Sequence, residues 1–318
     1  MVSVTETSEA RHPGRTVARR RLTRSQSNYL FSLLLILPSV ILVGGFVIIP
    51  FIHVLLISLE SIEVGDLSGR FVGLANYRWA IASPELRVGA WNSVIWTFGT
   101  VALQIVLGVL FALLLNRKLL MRGWLRALTL FPYLVPTVVA ALVWRYLMHD
   151  MVGPLNYMLV SSGLISQPLL WLDSPKWAIL SVIIIAAWKH FPFVVIIILA
   201  MLQTIPREQY EAADLDGANE FQQFWYITLP SILPAIGIAA LVRLIYEVNA
   251  FDIIYLLTGG GPVNATTTLP ILVYNKAFGD FQLGRAAAAA SITFLLMMLI
   301  TIIGSLIGLV RRRMDRTA

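Results

Sequence analysis

The chain has 318 residues, of which 58% are hydrophobic and only 13% are charged, and its mean hydropathy is +0.79. A soluble fold cannot bury that much apolar surface, which excludes an ordinary cytosolic enzyme, a disordered chain and a secreted disulfide scaffold. There is no cysteine, the four histidines lie far apart in sequence, and the basic residues behind the net charge of +7 flank apolar stretches. These features argue against a metal, a cofactor and nucleic acid, and predict a polytopic helical membrane protein.

Six apolar stretches are long enough to cross a bilayer, because about 20 helical residues span its hydrocarbon core. In chain order they are Leu30–Ile57, Trp91–Leu115, Ala127–Met148, Trp177–Leu202, Ser231–Leu257 and Arg285–Val310. They predict an all-α integral membrane protein with a basic N-terminal segment (residues 1–29), a six-helix membrane domain (residues 30–310) and a basic tail (residues 311–318). The outer loop over residues 60–90 is expected to fold and to carry a short amphipathic helix before the second span.

The distribution of basic residues predicts that both termini are cytoplasmic. With the N-terminus inside, 15 of the 24 Lys and Arg residues fall in cytoplasmic segments and five in outer loops, as the positive-inside rule requires. The first apolar stretch follows a basic run, as in a signal peptide, but it continues for nearly thirty residues and no small-x-small cleavage site follows it. We therefore interpret it as an uncleaved helix.

The cytoplasmic loop over residues 203–230 is acidic where the other inner segments are basic. Five acids accompany the single Arg207 between residues 205 and 220. Pro206 is suited to begin a helix, Gly217 to end it in the left-handed conformation, and Asn219 with Gln222 resembles a capping box for a second short helix. The sequence predicts a helical hairpin that projects from the membrane, either as an interfacial amphipathic element or as a docking element.

The motif Glu211-Ala212-Ala213-x-x-Asp216-Gly217-Ala218, followed by Ile227-x-Leu-Pro230, resembles the EAA loop of ATP-binding-cassette (ABC) importer permeases. Further motifs are similar to carbohydrate permeases of the maltose-importer type, and together they cover nearly the whole chain after the N-terminus. They are Phe71–Tyr77, Phe131-Pro-Tyr-x-x-Pro136, Trp144-Arg145, Gly153–Asn156, Trp188–Phe193, Leu202–Pro206, Leu257–Pro262 with Thr266–Leu269, and Phe281-x-x-Gly284. Arg285 departs from the family pattern, in which an aromatic residue is more usual.

The resemblance implies the fold of a type I ABC importer transmembrane domain with a cytoplasmic coupling-helix hairpin, in a bacterial or archaeal inner membrane. It implies as partners a second permease subunit, a cytoplasmic ATPase dimer and an extracytoplasmic solute-binding protein, besides membrane lipid. The coupling residues carried over from the family are Glu211, Ala212, Ala213, Asp214, Asp216 and Gly217. No lysine in this sequence follows a glycine, so there is no P-loop, and ATP hydrolysis is expected on a partner subunit.

Span five carries the polar and aromatic residues that a sugar pathway needs: Tyr246, Glu247, Asn249, Phe251 and Asp252. Sugars present hydroxyl groups and apolar C–H faces, so their sites combine amide or carboxylate groups with aromatic rings, and intramembrane ionisable residues usually face a cavity or a partner. Arg243 and Glu247 are spaced i,i+4 and can pair, which leaves open whether they only neutralise each other inside the bundle.

Lys189 and Trp144 complete the candidate pathway residues. Lys189 is expected either to snorkel toward the interface or to pair with Glu247 or Asp252, and Trp144 either packs or contacts the substrate. In span six the small residues Ala286–Ala290 and Gly304-x-x-x-Gly308 allow close helix approach, either within this subunit or against a second permease.

The leading interpretation is a permease subunit for a di- or oligosaccharide, forming half of a translocation pathway. The alternative within transport is glycerol 3-phosphate or another polyol, because Arg243, Lys189 and Arg145 could serve an anion. The alternative of another class is a membrane enzyme acting on lipid-linked sugars. Such an enzyme should show acids or histidines clustered at one interface, whereas the only acidic cluster lies on the glycine-hinged hairpin.

Overall fold

The computed structural model describes residues 24–63, 66–117 and 120–314. They form two units, the first ending at His53 and the second beginning at Val54. Of the predicted terminal segments, residues 1–23 and 315–318 lie outside the described residues. Helix α1 already begins at Arg24, and the last helix continues to Met314, so both ends of the predicted membrane domain extend further as helix than expected.

The first predicted span is helical and apolar on all sides. Helix α1 (Arg24–Val43) continues through a π-helical turn (Gly44–Ile48) into α2 (Ile49–Ile57). The apolar part, Leu34–Ile57, is 24 residues long, and none of it is buried within the protein. A helix that is apolar all round and unburied is suited to lipid rather than to water.

Three long helices form the centre of the second unit: α4 (Pro84–Asn116), α8 (Ala178–Leu202) and α11 (Leu229–Val248). Ser83 caps α4 by accepting a hydrogen bond from the Glu85 amide at 3.2 Å, with Pro84 at the first helical position. All three helices contribute to one buried apolar cluster that includes Leu115, Val194 and Ile232. The described structure thus confirms the second and fourth predicted spans, and the part of the fifth up to Val248, as apolar helices.

The third predicted span is not one straight helix. Helices α5 (Arg122–Leu134) and α6 (Thr137–Leu147) meet at an angle of 97°. Val135 is extended (φ −67°, ψ 128°) because the ring of Pro136 disfavours the helical conformation in the preceding residue. The prediction of a single helix over Ala127–Met148 is therefore wrong, and a sharp break lies in its middle.

The fifth predicted span is also interrupted, since α11 ends at Val248 and α12 (Asp252–Thr258) begins only after a gap. At the end of α11 the amide of Ala250 bonds to the Glu247 carbonyl at 3.1 Å, which closes a tighter turn than an α-helix. The same carbonyl accepts a hydrogen bond from the indole Nε1 of Trp96 on α4 at 3.0 Å. A tertiary contact therefore ends this helix, and the prediction of one helix to Leu257 is wrong.

The number of spans is lower than the six predicted. Within the described residues four helices are long and apolar enough to cross a membrane, and counting the bent pair α5–α6 as one span gives at most five. Helix α14 (Leu283–Met314) covers the sixth predicted span, but its described apolar part, Leu283–Leu299, is shorter than the other spans. Six spanning helices are thus not confirmed.

Short elements connect these helices. They are β1 (Glu60–Glu63), β2 (Asp66–Phe71), α3 (Ala75–Ala82), α7 (Pro154–Ser161), α9 (Arg207–Leu215), α10 (Glu220–Gln223) with a π-helical turn (Phe224–Thr228), and α13 (Leu269–Tyr274) with a π-helical turn (Asn275–Gly279). Helix α3 confirms the short helix expected between residues 60 and 90. The antiparallel β1–β2 hairpin departs from the all-α prediction.

Two motifs that are distant in sequence meet beside the β1–β2 hairpin. The Asn76 amide donates to the carbonyls of Ser58 (3.0 Å) and Glu60 (2.9 Å), which fastens α3 to the β-hairpin. A Cβ at Gly284, in the first turn of α14, would collide with the Glu60 carbonyl. Ala286–Ala289 are buried, so these small residues serve packing within the subunit, whereas the side chains of residues 303–314 lie outside the described part.

Candidate functional site

The acidic loop over residues 203–230 forms two short helices joined by a turn at Gly217, as its sequence predicts. Gly217 has φ +77°, and the amides of Gly217 and Ala218 bond to the carbonyls of Asp214 (3.1 Å) and Ala213 (2.9 Å). This is the Schellman arrangement that ends a helix. Asn219 and Gln222 form a capping box with both hydrogen bonds at 2.9 Å, which begins α10.

The hairpin presents an unburied surface. No residue of α9 is buried, and Glu211, Ala212, Asp214 and Asp216 are exposed while Ala213 is half-buried. Leu215, at the C-terminal end of α9, is 91% exposed. It was not among the residues expected from the sequence, although a leucine at the end of an acidic helix could have been singled out there.

Contacts on both arms hold the hairpin to the start of α11 and to the C-terminal end of α4. The hydroxyl groups of Tyr210 and Thr228 lie 2.8 Å apart, and the Arg117 guanidinium pairs with Glu220 at 2.7 Å. Asp214 does not stand beside Glu211 as a free acid, because its carboxylate accepts a hydrogen bond from Gln223 Nε2 at 2.6 Å. Asp214 is therefore engaged within the hairpin.

A buried polar cluster lies between α4, α8 and α11. Gln104 donates from Nε2 to Glu247 Oε1 at 2.9 Å and accepts from Arg243 Nε at 2.8 Å, and Arg243 forms an ion pair with Glu247. His190 Nδ1 lies 3.4 Å from the same Glu247 oxygen. Glu247 is 1% exposed, so the structure places it inside the bundle. Gln104 and His190 were not anticipated from the sequence, which offers only spacing within one helix as a guide.

Lys189 binds the backbone at the break between α5 and α6. Its Nζ atom donates to the Val135 carbonyl at 2.5 Å, and the residue is 4% exposed. The expected pairing with Glu247 or Asp252 is wrong. The physical reason is that the break at Pro136 leaves the Val135 carbonyl without a helical partner. In an apolar environment such a carbonyl needs a hydrogen-bond donor, which Lys189 provides.

An open cavity of about 750 Å³ lies beside the break in the fifth predicted span. Asn249 and Phe251 line it with an apolar set from α13, the π-helical turn after it and α14, including Tyr274, Phe278 and Met298. Phe251, Tyr255, Tyr274 and Phe278 form a row of rings whose neighbouring centroids are 4.9–5.0 Å apart. A polar amide beside an aromatic row is the combination of groups that sugar sites use.

The remaining candidate residues lie elsewhere. Asp252 is exposed in the first turn of α12, and Tyr246 is 67% exposed, with its ring 5.8 Å from the Arg243 guanidinium. Trp144 packs edge-to-face on Trp188 at 5.3 Å. The structure therefore brings Asn249 and Phe251 together at the cavity, and it does not bring Asp252, Tyr246, Trp144, Lys189 or Glu247 to its lining.

Residues 104–316, which contain the hairpin and the cavity, match the family model described as binding-protein-dependent transport system inner membrane component. The chain belongs to this family. It is a multi-pass membrane permease of the ABC importer class.

Individual members of the family resemble the chain over most of its length. It is 38% identical to the trehalose/maltose transport system permease protein MalF of Thermococcus litoralis, covering 88% of this chain and 94% of the relative. It is 34% identical to the sulfoquinovosyl glycerol permease SmoG (86% and 88% covered) and 33% identical to the sn-glycerol-3-phosphate permease UgpA (86% and 93% covered), both of Agrobacterium fabrum.

A solved structure confirms the family's fold for this chain. A bacterial ABC transporter involved in import of the acidic polysaccharide alginate superposes with a TM-score of 0.75 at 22% identity, covering 88% of this chain and 95% of that chain. In this permease family fold, the hairpin and the cavity are separated along the chain by α11, whose Arg243 and Glu247 anchor it to α4.

Proposed function

We propose that this chain is the permease subunit of an ATP-driven importer for a di- or oligosaccharide. It forms half of the translocation pathway with a second permease subunit, and an extracytoplasmic solute-binding protein delivers the sugar. The main support for a sugar substrate is the row of aromatic rings beside Asn249 at the open cavity. The name of one relative, a trehalose/maltose transport system permease, supports the same class.

The transported compound is a sugar rather than a phosphate ester. A relative carries the name of a glycerol-3-phosphate permease, so this alternative needs a specific argument. The cavity lining includes no cationic side chain, and the two cations buried in neighbouring helices are engaged, Arg243 with Glu247 and Lys189 with the Val135 carbonyl. An anionic substrate would require a free cation at its site.

ATP is hydrolysed on a separate ATPase dimer that docks on the hairpin. The coupling residues are Glu211, Ala212, Ala213, Asp214, Asp216 and Gly217, to which the exposed Leu215 is added. Support comes from the missing P-loop in the sequence and from the exposed surface of α9, where an apolar tip is surrounded by acids. In this arrangement both termini and the hairpin are cytoplasmic.

The test is reconstitution of the permease pair with its ATPase in lipid nanodiscs. Adding the loaded binding protein should stimulate ATP turnover, and in proteoliposomes it should drive sugar accumulation. Hydrolysis by this chain in the absence of the ATPase would contradict the assignment, as would stimulation by glycerol 3-phosphate but by no sugar.

A further inference from the structure

A small polar pocket lies on the segment predicted to face outward, away from the transport cavity. Its volume is about 230 Å³. Residues of β1 and α3, with Val72 between β2 and α3, line one part of it, and Gln282, Gly284 and Arg285 at the start of α14 line the other. Drug-sized and sugar-sized ligands occupy cavities of roughly 300–1,000 Å³. The pocket is therefore too small for a di- or oligosaccharide and suits a single side chain.

Arg285 is the charged group of this pocket. Its guanidinium carbon lies 5.0 Å from the ring centroid of Trp79, and its NH1 atom donates to the neutral Gln282 Oε1 at 3.0 Å. Stacking on an aromatic ring and one amide contact hold the guanidinium in place, and neither of these two contacts carries a negative charge. Among the described side chains no carboxylate pairs with Arg285.

The neighbouring cation differs in this respect. Lys276 also lies over Trp79, at 5.6 Å, but it pairs with Glu85 and Asp280, each at 2.7 Å. Burial alone would lower the pKa of Lys276, but the hydrogen bonds to Asp280 and Glu85 outweigh burial and raise it. Trp79 therefore contacts two cations: Lys276, which two carboxylates neutralise, and Arg285, which pairs with no acid among the described residues.

Exposed apolar side chains border the pocket in sequence. Phe71 is 73% exposed, Leu74 60% and Phe281 53%, and each is followed directly by a lining residue. Aromatic residues around an arginine anchor are the composition of protein–protein interfaces, where such anchors carry most of the binding energy. Exposed apolar side chains next to the lining residues along the chain therefore favour a protein partner over a free ion.

We propose that this pocket receives an Asp or Glu side chain of the extracytoplasmic solute-binding protein, with Arg285 as the bidentate recognition group and Trp79 as its support. This inference rests on the proposed function, because it needs an outward-facing loop and a binding protein. Arg–carboxylate pairs that are enclosed on docking are strong and geometrically specific. Arg285 then sets the affinity of docking and not the selection of the sugar.

The experiment titrates the binding protein encoded with this permease, loaded with its sugar, into the reconstituted complex and records ATP turnover. Arg285→Gln should raise the half-saturating concentration about 10-fold, since loss of one partner of an enclosed charge pair costs at least that factor. Arg285→Lys keeps the positive charge but lacks the planar guanidinium, so its half-saturating concentration should lie between those of the parent complex and Arg285→Gln. The matched control is Arg87→Gln, an exposed arginine on the same outer segment that does not line the pocket, and its half-saturation should equal that of the parent complex.

Charge reversal identifies the partner group. Arg285→Glu should weaken docking further, and changing one acidic residue of the binding protein to Arg should restore it. Unchanged half-saturation in Arg285→Gln, in a complex that the binding protein stimulates, overturns the inference and leaves the proposed function standing. If half-saturation is unchanged and the melting temperature of Arg285→Gln is lowered, Arg285 stabilises the subunit internally, and the inference is overturned as well. A parent complex that no binding protein stimulates contradicts the proposed function itself.

Discussion

The Nζ atom of Lys189 lies 2.5 Å from the carbonyl oxygen of Val135, so a buried ammonium on α8 binds the backbone where α5 ends. We expect Lys189→Met to leave that carbonyl without a donor and to cost about 1–3 kcal/mol. The melting temperature of the purified complex should fall, and transport should decline with it. Lys176→Met, at an exposed lysine, is the control, and equal melting temperatures for both variants would contradict the role of this contact.

The buried pair Arg243–Glu247 should behave as a unit. Removing one partner leaves an uncompensated charge in the bundle, so Glu247→Leu should destabilise by about 3–5 kcal/mol, whereas the double variant with Arg243→Met should lose much less. A double-mutant cycle on thermal unfolding measures the coupling between the two side chains. Additive losses would show that the two residues act independently and would count against a structural ion pair.

The cavity residues should affect transport without affecting assembly. Phe251→Ala removes a ring that stacks on Tyr255 at 5.0 Å, and Asn249→Ala removes the amide at the same cavity. Each should lower sugar uptake about tenfold or more while the ATPase still co-purifies. Asp252→Ala, outside the cavity lining, should have a smaller effect. Phe98→Ala, at an exposed ring on α4, is the control, and wild-type uptake in both cavity variants would exclude the cavity from the pathway.

The hairpin should depend on geometry more than on charge. Gly217 has φ +77°, so Gly217→Val is strained by about 1–2 kcal/mol or more and should reduce docking of the ATPase and substrate-stimulated turnover. Leu215→Ser should weaken docking, because it removes the exposed apolar tip. Glu211→Gln should be mild, since exposed charges contribute about 0–1 kcal/mol.

Gly237, a helical glycine with open space around it, provides the control as Gly237→Val. Co-purification of the ATPase with each variant, followed by turnover in the reconstituted complex, separates docking from coupling. Full docking and full stimulation in Gly217→Val would mean that the hairpin is not the coupling element.

The orientation can be tested directly because the chain has no cysteine. Single cysteines in place of Thr5 and Arg316 should resist a membrane-impermeant thiol reagent in intact cells and react after the membrane is opened. Asp173→Cys, in a predicted outer loop, should react from outside. Labelling of either terminal position in intact cells would refute the topology.

Much of the fold could be predicted because local sequence carries the relevant physics. Apolar runs that exceed about 20 residues can be stable only in lipid, and the helices α4, α8 and α11 confirm three of them. The hairpin could be predicted nearly residue by residue, because the left-handed Gly217 and the Asn219–Gln222 capping box depend on neighbours within a few positions.

The breaks in the spans and the partners of the buried charges could not be predicted in this way. The end of α11 depends on Trp96, 151 positions away from Glu247, and the partner of Lys189 is a carbonyl 54 positions away. A sequence shows that a buried charge needs a partner, but only tertiary packing determines which group comes within reach.

The sequence by itself determined the membrane class, the family resemblance and the hairpin, because hydropathy, turn chemistry and motif order are local properties. The tertiary structure alone decided that Asn249 and Phe251 share a cavity while Glu247 is enclosed in the bundle, and that Arg285 stacks on Trp79 without a described acid beside it. The physical reason is that residues on neighbouring turns of a chain face different environments once helices pack, and periodicity does not specify which face meets which neighbour.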